Sequence, residues 1–189
     1  MHPALSAYLH SRLELSPSSA EMVARCFQPQ VVRRQQVLLR EGEVAQHLYL
    51  VASGCLRVFL SKNDGNESTR FLLFPGEIGT ALPSFVHCQP STATVQSLGA
   101  GEVLLLSRPD QQRLAQQVPG WETLQYKALE ESYVACIERL EGLLMLSAKE
   151  RYQALLQQHP QLVQRLPSRI VAEYLGISYE TLSRIKAQR

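Results

Sequence analysis

The sequence predicts an α+β chain: short N-terminal helices, a barrel or sandwich of short strands, one long helix, and a small all-α module at the end. Three observations predict it. From about Val31 to Ser107, short apolar runs alternate with turn residues. After Arg108–Pro109 the apolar period becomes helical. The last 43 residues hold 7 Lys+Arg against 3 Asp+Glu, whereas the preceding 146 hold 12 against 14. The net charge of +2 conceals this division. A basic module after a slightly acidic one suits an approach to phosphates, although charge alone would equally suit a solvated tail. The expected division is 1–118, 119–146 and 147–189.

Composition bounds the class. With 189 residues, 45% hydrophobic and 19% charged, the chain can bury one sizeable core and support a small second module. The four cysteines, Cys26, Cys55, Cys88 and Cys136, are widely spaced and form no C-x-x-C pair, which argues against zinc or iron–sulfur ligation. No cofactor or metal is expected. The N-terminus lacks the pattern of a signal peptide, and no run approaches the ~20 apolar residues of a membrane span. A cytoplasmic protein without a membrane partner is expected.

Residues 1–28 read as two short helices broken near Ser16–Pro17. The strand-like runs are VLLR (37–40), HLYLV (47–51), CLRVFL (55–60), RFLLF (70–74), TATVQSL (92–98) and EVLLLS (102–107). Asp64–Gly65 between two of them is a hairpin signal. A short helix should then run to about Val118, with Pro119 separating it from a longer one. On that longer helix Tyr126, Leu129, Tyr133, Cys136, Leu140 and Leu143 recur every three or four residues. The seam suits a contact between two copies, leaving Ile137 and Leu144 to face the strands. Ser147 and Glu150 have capping-box spacing and should start a helix through about Gln158, and Pro160 and Pro167 punctuate the stretch beyond it.

The segment 167–189, PSRIVAEYLGISYETLSRIKAQR, carries the functional signal. A helix from Pro167–Ser168 would place Ile170, Val171, Tyr174 and Leu175 on an apolar face, and Gly176 permits a left-handed end. Ser178 can cap a second helix whose Leu182 and Ile185 point inward. Two short helices joined this way form a helix-turn-helix. Glu180, Ser183 and Arg184 then share the outward face and are expected to read base edges, Arg184 at guanine and Glu180 at cytosine. Glu180 could also hold the Arg184 guanidinium. Arg169, Ser178, Tyr179, Thr181, Lys186 and Arg189 are expected to meet phosphates. The alternative for Glu180 and Arg184 is a surface ion pair worth only ~0.3–0.5 kcal/mol.

These residues resemble the Crp/Fnr superfamily of bacterial regulators. LGISYETLSR (175–184) is similar to the family's recognition-helix signature, with E-x-x-S-R matching Glu180, Ser183 and Arg184. EGEVAQHLYLVASGCLRVFL (41–60) is similar to its cyclic-nucleotide-binding β-roll. The resemblance implies an N-terminal double-stranded β-roll, a long dimerisation helix and a C-terminal helix-turn-helix domain. It further implies a homodimeric transcription regulator on double-stranded DNA, at a near-palindromic site with half-sites about one helical turn apart. RNA polymerase is a further partner of such a protein.

The chain departs from the family in the phosphate-binding cassette, PGEIGTALPSFVHCQPSTATV (75–95). Cyclic-AMP binders of the family carry a Glu after the glycine matching Gly79 and an Arg near Ser91. Here those places hold Thr80 and Ser91, and no Arg or Lys lies between Arg70 and Arg108. A cyclic phosphate would lose its charge-assisted bonds, so control by cyclic AMP is not expected. Gly79, Thr80, Ser91 and Thr92 remain as a pocket for an unidentified small-molecule effector, unless the roll is a scaffold that binds nothing. His47 and His87 are too isolated to name as haem ligands. A competing reading is a small-molecule sensor with a weak or vestigial DNA-binding domain. No nucleophile–base pair, metal cluster or phosphate loop points to an enzyme.

Overall fold

The computed structural model describes residues 1–10, 12–61 and 65–188, without the side chains at 161 and 162. Two helices, α1 (Pro3–His10) and α2 (Pro17–Cys26), precede the strands. Ser16 caps α2 through a hydrogen bond accepted from the Ser19 amide. The strands β1 (Phe27–Val32), β2 (Val37–Leu39), β3 (His47–Ser53), β4 (Leu56–Ser61), β5 (Glu67–Leu73), β6 (Ile78–Gly79), β7 (Thr94–Ser97) and β8 (Gly101–Ser107) form two four-stranded antiparallel sheets. Their orders are β1-β8-β3-β6 and β2-β7-β4-β5. This is the expected roll.

The sheets close around Leu39, Tyr49, Val51, Leu56, Val58, Val95 and Val103. Tyr49 is buried there, and its hydroxyl donates to the Leu38 carbonyl at 3.0 Å. A second core lies on the outer face of the first sheet. It joins α1, α2, α4 (Arg108–Gln117) and the start of α5 (Trp121–Met145) through Leu5, Val23, Leu106, Leu114 and Trp121.

The strand region begins at Phe27, four residues before the expected start, and Pro29 sits within β1. Among the described strands β1 pairs with β8 alone, so it is an edge where proline's missing donor is tolerated. The hairpin signal is half visible. Gly65 has φ of 80°, while Asp64 lies outside the described residues. A short α3 (Leu82–His87) interrupts the cassette between β6 and β7.

After α5 come α6 (Ala148–Gln158), α7 (Pro160–Arg165), α8 (Ser168–Leu175) and α9 (Tyr179–Ala187). The Ser147–Glu150 capping box forms in both directions. Pro160, expected only to punctuate, opens the six-residue α7, since proline is favoured in a first turn. These helices share a third core with the roll: Cys55, Leu72 and Phe74 join Tyr152, Leu155, Val163, Val171, Leu175 and Leu182. Polar contacts reinforce the junction. Arg139 of α5 donates to the carbonyls of Tyr174, at 2.8 Å, and Thr69, at 3.4 Å.

Candidate nucleic-acid interface and ligand cavity

The turn between α8 and α9 is built as its sequence dictates. Gly176 adopts φ of 67° and its amide bonds the Ala172 and Glu173 carbonyls, ending α8. A side chain there would be strained, and a Cβ would also stand 3.2 Å from a Leu143 methyl. Ser178 caps α9 by accepting the Thr181 amide at 3.1 Å. Leu182 is 0% exposed in the third core, with Ile185 half-buried beside it. Burying this side turns the other outward, leaving Tyr179, Glu180, Ser183 and Arg184 exposed.

Within this face the side chains pair differently from expectation. Arg184 Nη2 donates to Thr181 Oγ1 at 3.4 Å and makes no ion pair with Glu180 among the described residues. Glu180 instead sits in the cap. A backbone hydrogen bond and the Ser178 hydroxyl hold its carboxyl below the ordinary range, with Arg184 a weaker influence. The physical reason is competition: donors at the helix start capture a first-turn carboxylate. Lys186 Nζ donates to Ser168 Oγ at 2.8 Å, and Arg169 pairs with Glu173 at 3.0 Å. Arg189 lies outside the described residues.

The long helix α5 is anchored by its first turn, through Trp121 and Leu124, and then leaves the core. Tyr126, Leu129, Tyr133 and Leu140 are exposed, Tyr133 to 66%, and so is Cys136. Leu143 is half-buried against the Gly176 turn of its own chain. Leu144, expected to face the strands, is 73% exposed, while Ile137 is half-buried. Arg139 of this stretch donates instead to the Thr69 carbonyl of the roll and the Tyr174 carbonyl of α8, polar contacts that hold α5 without burying Leu144.

A cavity of about 130 Å³ opens between β5, α3 and the loop leading to β7. Arg70, Ser84, His87, Gln89, Ser91 and Thr92 help to line it. Ser91 is turned to internal work: its hydroxyl donates to the Ala93 carbonyl at 2.7 Å and accepts the Ala93 amide. Gly79 and Thr80 are not part of this lining. Gly79 pairs with Tyr49, and the Leu73 methyls occupy the space beside it, 3.0 Å from where a Cβ would stand. Thr80 is buried, and its Oγ1 has no partner among the described residues.

The residue that sequence reasoning missed is Arg70. It bounds the cation-free stretch of sequence, yet β5 delivers it to the cavity from outside the cassette. The absence of a cation between 71 and 107 is therefore not an absence of one in the cavity. Among the described residues, no cluster of three or more His, Cys, Asp or Glu is placed to hold a metal. No described helix is long and apolar enough to cross a membrane.

Comparisons with known proteins agree with this architecture. Residues 29–118 match the cyclic nucleotide-binding domain family. A cyclic AMP receptor protein from Thermus thermophilus is 30% identical over 105 residues, covering 56% of this chain and 48% of the relative, so the match spans about half the relative's length. The solved catabolite activator protein of Thermus thermophilus matches at 27% identity with a TM-score of 0.57, covering 92% of this chain and 83% of the other. FixK2 of Bradyrhizobium japonicum matches at 18% identity and TM-score 0.74, covering 86% and 83%. The c-di-GMP-responsive global regulator CLP of Xanthomonas campestris matches at 18% and 0.70, covering 92% and 91%. The last two likenesses are of fold.

Proposed function

We propose that the chain is a DNA-binding transcription regulator acting as a homodimer, because residues 29–118 match the cyclic nucleotide-binding domain family and most of the chain shares the fold of solved Crp/Fnr regulators. The observation that carries this reading is the outward face of α9, where Glu180, Ser183 and Arg184 stand exposed opposite the buried Leu182. A helix buried on one side and polar on the other can enter a major groove. Arg184 reads guanine in this account, Glu180 or Ser183 an adjacent base, and Tyr179 and Thr181 the phosphates. Lys186 and Arg169 reach phosphates by exchanging Ser168 and Glu173 for the backbone.

The exposed apolar run on α5 supplies the dimer contact. A two-fold pair of α9 helices then reads a near-palindromic site. RNA polymerase is a further partner within this reading, and catalysis forms no part of it. Cyclic AMP is not the controlling ligand here. The obstacle is size, because the cavity of about 130 Å³ is well below the ~300 Å³ at which drug-sized ligand sites begin. The name of the Thermus relative favours the opposite reading, control by cyclic AMP, which calorimetric titration of the whole chain decides.

The experiment for DNA binding is titration of random-sequence duplex at stepped salt, with sedimentation to read the stoichiometry. Two chains per site, with the logarithm of the affinity falling linearly in log salt, support the proposal. Salt-independent binding, or none, rejects it.

A further inference from the structure

The helix-turn-helix module keeps its large apolar side chains inside, with one exception. From Ser147 onward, Tyr179 alone among the described large apolar side chains stands exposed, at 57%. A lone exposed tyrosine is ordinary on a protein surface. This one, however, opens α9, directly after the Ser178 cap. The first residues of a recognition helix are those that reach base edges.

Nothing on the protein claims the ring. Tyr179 makes no side-chain hydrogen bond, ring stack or cation contact among the described residues. Ser183, one turn along the same line of the helix, is too small to cover it. Lys186, two turns along, donates to Ser168 Oγ at 2.8 Å. The other polar groups of the face are drawn elsewhere. Arg184 Nη2 donates to Thr181 Oγ1 at 3.4 Å on the opposite flank, and the Ser178 hydroxyl and a backbone hydrogen bond hold the Glu180 carboxyl. The ring therefore stands beside the reading face with no charged neighbour bonded to it. In the major groove the apolar group on a base edge is the 5-methyl of thymine, a group that neither an arginine nor a glutamate is suited to read.

We infer, resting on the reading of α9 as the recognition helix, that Tyr179 is a specificity-determining residue whose ring packs on the 5-methyl group of a thymine in each half-site. Tyr179 precedes Arg184 by five positions. That is a rise of roughly 7.5 Å along the helix axis, or about two base steps of ~3.4 Å. The thymine therefore lies within about two pairs of the guanine that Arg184 reads. The hydroxyl at the far end of the ring stays free to meet a phosphate at the groove's edge. A tyrosine that served the phosphate alone would be indifferent to the methyl.

The test alters the DNA by one methyl group. The wild-type chain first selects its duplex from a random pool. Each thymine near the half-site guanine is then exchanged for deoxyuridine, which lacks only the 5-methyl, and fluorescence anisotropy at constant salt reads the affinity. The expected result is a thymine within about two pairs of the guanine in each half. Binding should weaken about fourfold for each half-site exchanged, the ratio for one buried methyl. Tyr179→Ala should bind the thymine and deoxyuridine duplexes equally, whereas Tyr179→Phe, which keeps the ring, should still tell them apart. The exchange leaves the protein untouched, so the wild-type comparison decides even where a variant fails to fold. Absence of an enriched thymine near the guanine overturns the inference. Equal wild-type affinity for the two duplexes also overturns it, as does a folded Y179A that discriminates like wild type. A chain that enriches its G·C pair but ignores the methyl keeps the DNA-binding reading and loses this role for Tyr179. A chain that binds no duplex loses both.

Discussion

Thr69 on β5 donates a 3.0 Å hydrogen bond to the Glu173 carboxylate on α8, joining the roll to the first helix of the helix-turn-helix. The same carboxylate lies 3.5 Å from Arg57 Nη1 and 3.0 Å from Arg169 Nε. Arg57 is 6% exposed and also bonds Glu67 at 2.7 Å and Gln96 at 3.0 Å. Glu173 thus ties a buried cation of the roll to the helix-turn-helix module. Glu173→Ala should cost about 2–3 kcal/mol in chemical denaturation, because it leaves Arg57 under-compensated. Thr69→Val should cost about 1 kcal/mol, and the double variant should show coupling on the order of 0.5 kcal/mol or more. Strict additivity would mean that the bond does not hold the junction.

The long helix makes a prediction about assembly. Tyr133 is exposed in the single chain, so Tyr133→Asp should change the stability of the monomer by only about 0.5 kcal/mol or less. Two aspartates in an apolar seam would repel and lose hydration. Sedimentation should find wild type dimeric and Y133D monomeric at micromolar concentration. A wild-type monomer, or a variant dimer of equal strength, contradicts the seam.

His159 predicts a pH dependence. Its ring stacks on Phe74 of the roll at 3.9 Å, and burial lowers its pKa from the ordinary 6.5. The unfolded chain therefore takes up the proton at higher pH than the folded one. Above about 6.5 the stabilisation is fully present, and it is lost as pH falls through the folded value. Denaturation between pH 7 and pH 5 should show stability falling with pH, with a smaller slope in His159→Phe, which keeps a ring beside Phe74. His47 shifts in the same direction through burial, opposed by Asp110, so some slope should remain. An unchanged slope in H159F would remove His159 from the account.

Where the chain's chemistry is local, the sequence was readable. Gly176, Ser178 and Leu182 carry the turn, cap and core of the helix-turn-helix within seven residues, and each takes its expected place. The Ser147–Glu150 box is equally local. Non-local features were not readable. The start of β1 at Phe27 was not readable, since a strand holding Pro29 is tolerated only at an edge and the sheet order alone makes it one. β6 has two residues and α7 six, too few for a period. Arg70 was not legible because the cassette's contiguous sequence holds no cation, whereas the sheet brings one in from β5. Gly79 and Thr80 were assigned to the pocket by the cassette's resemblance to the family, and Leu73 fills the space beside Gly79 instead. The Glu180–Arg184 bond was drawn from i, i+4 spacing, which overlooks the cap donors competing for the carboxylate.

The central claim is that α9 reads DNA through Arg184, and selection from a random duplex pool by wild type and Arg184→Ala tests it most directly. The wild type should enrich a two-fold symmetric site with a G·C pair in each half, the halves about one helical turn apart. R184A should bind that site about 5- to 150-fold more weakly, reflecting a base contact worth ~1–3 kcal/mol, with preference relaxed at that pair. No enrichment by the wild type, or the same site enriched equally by R184A, would contradict the account.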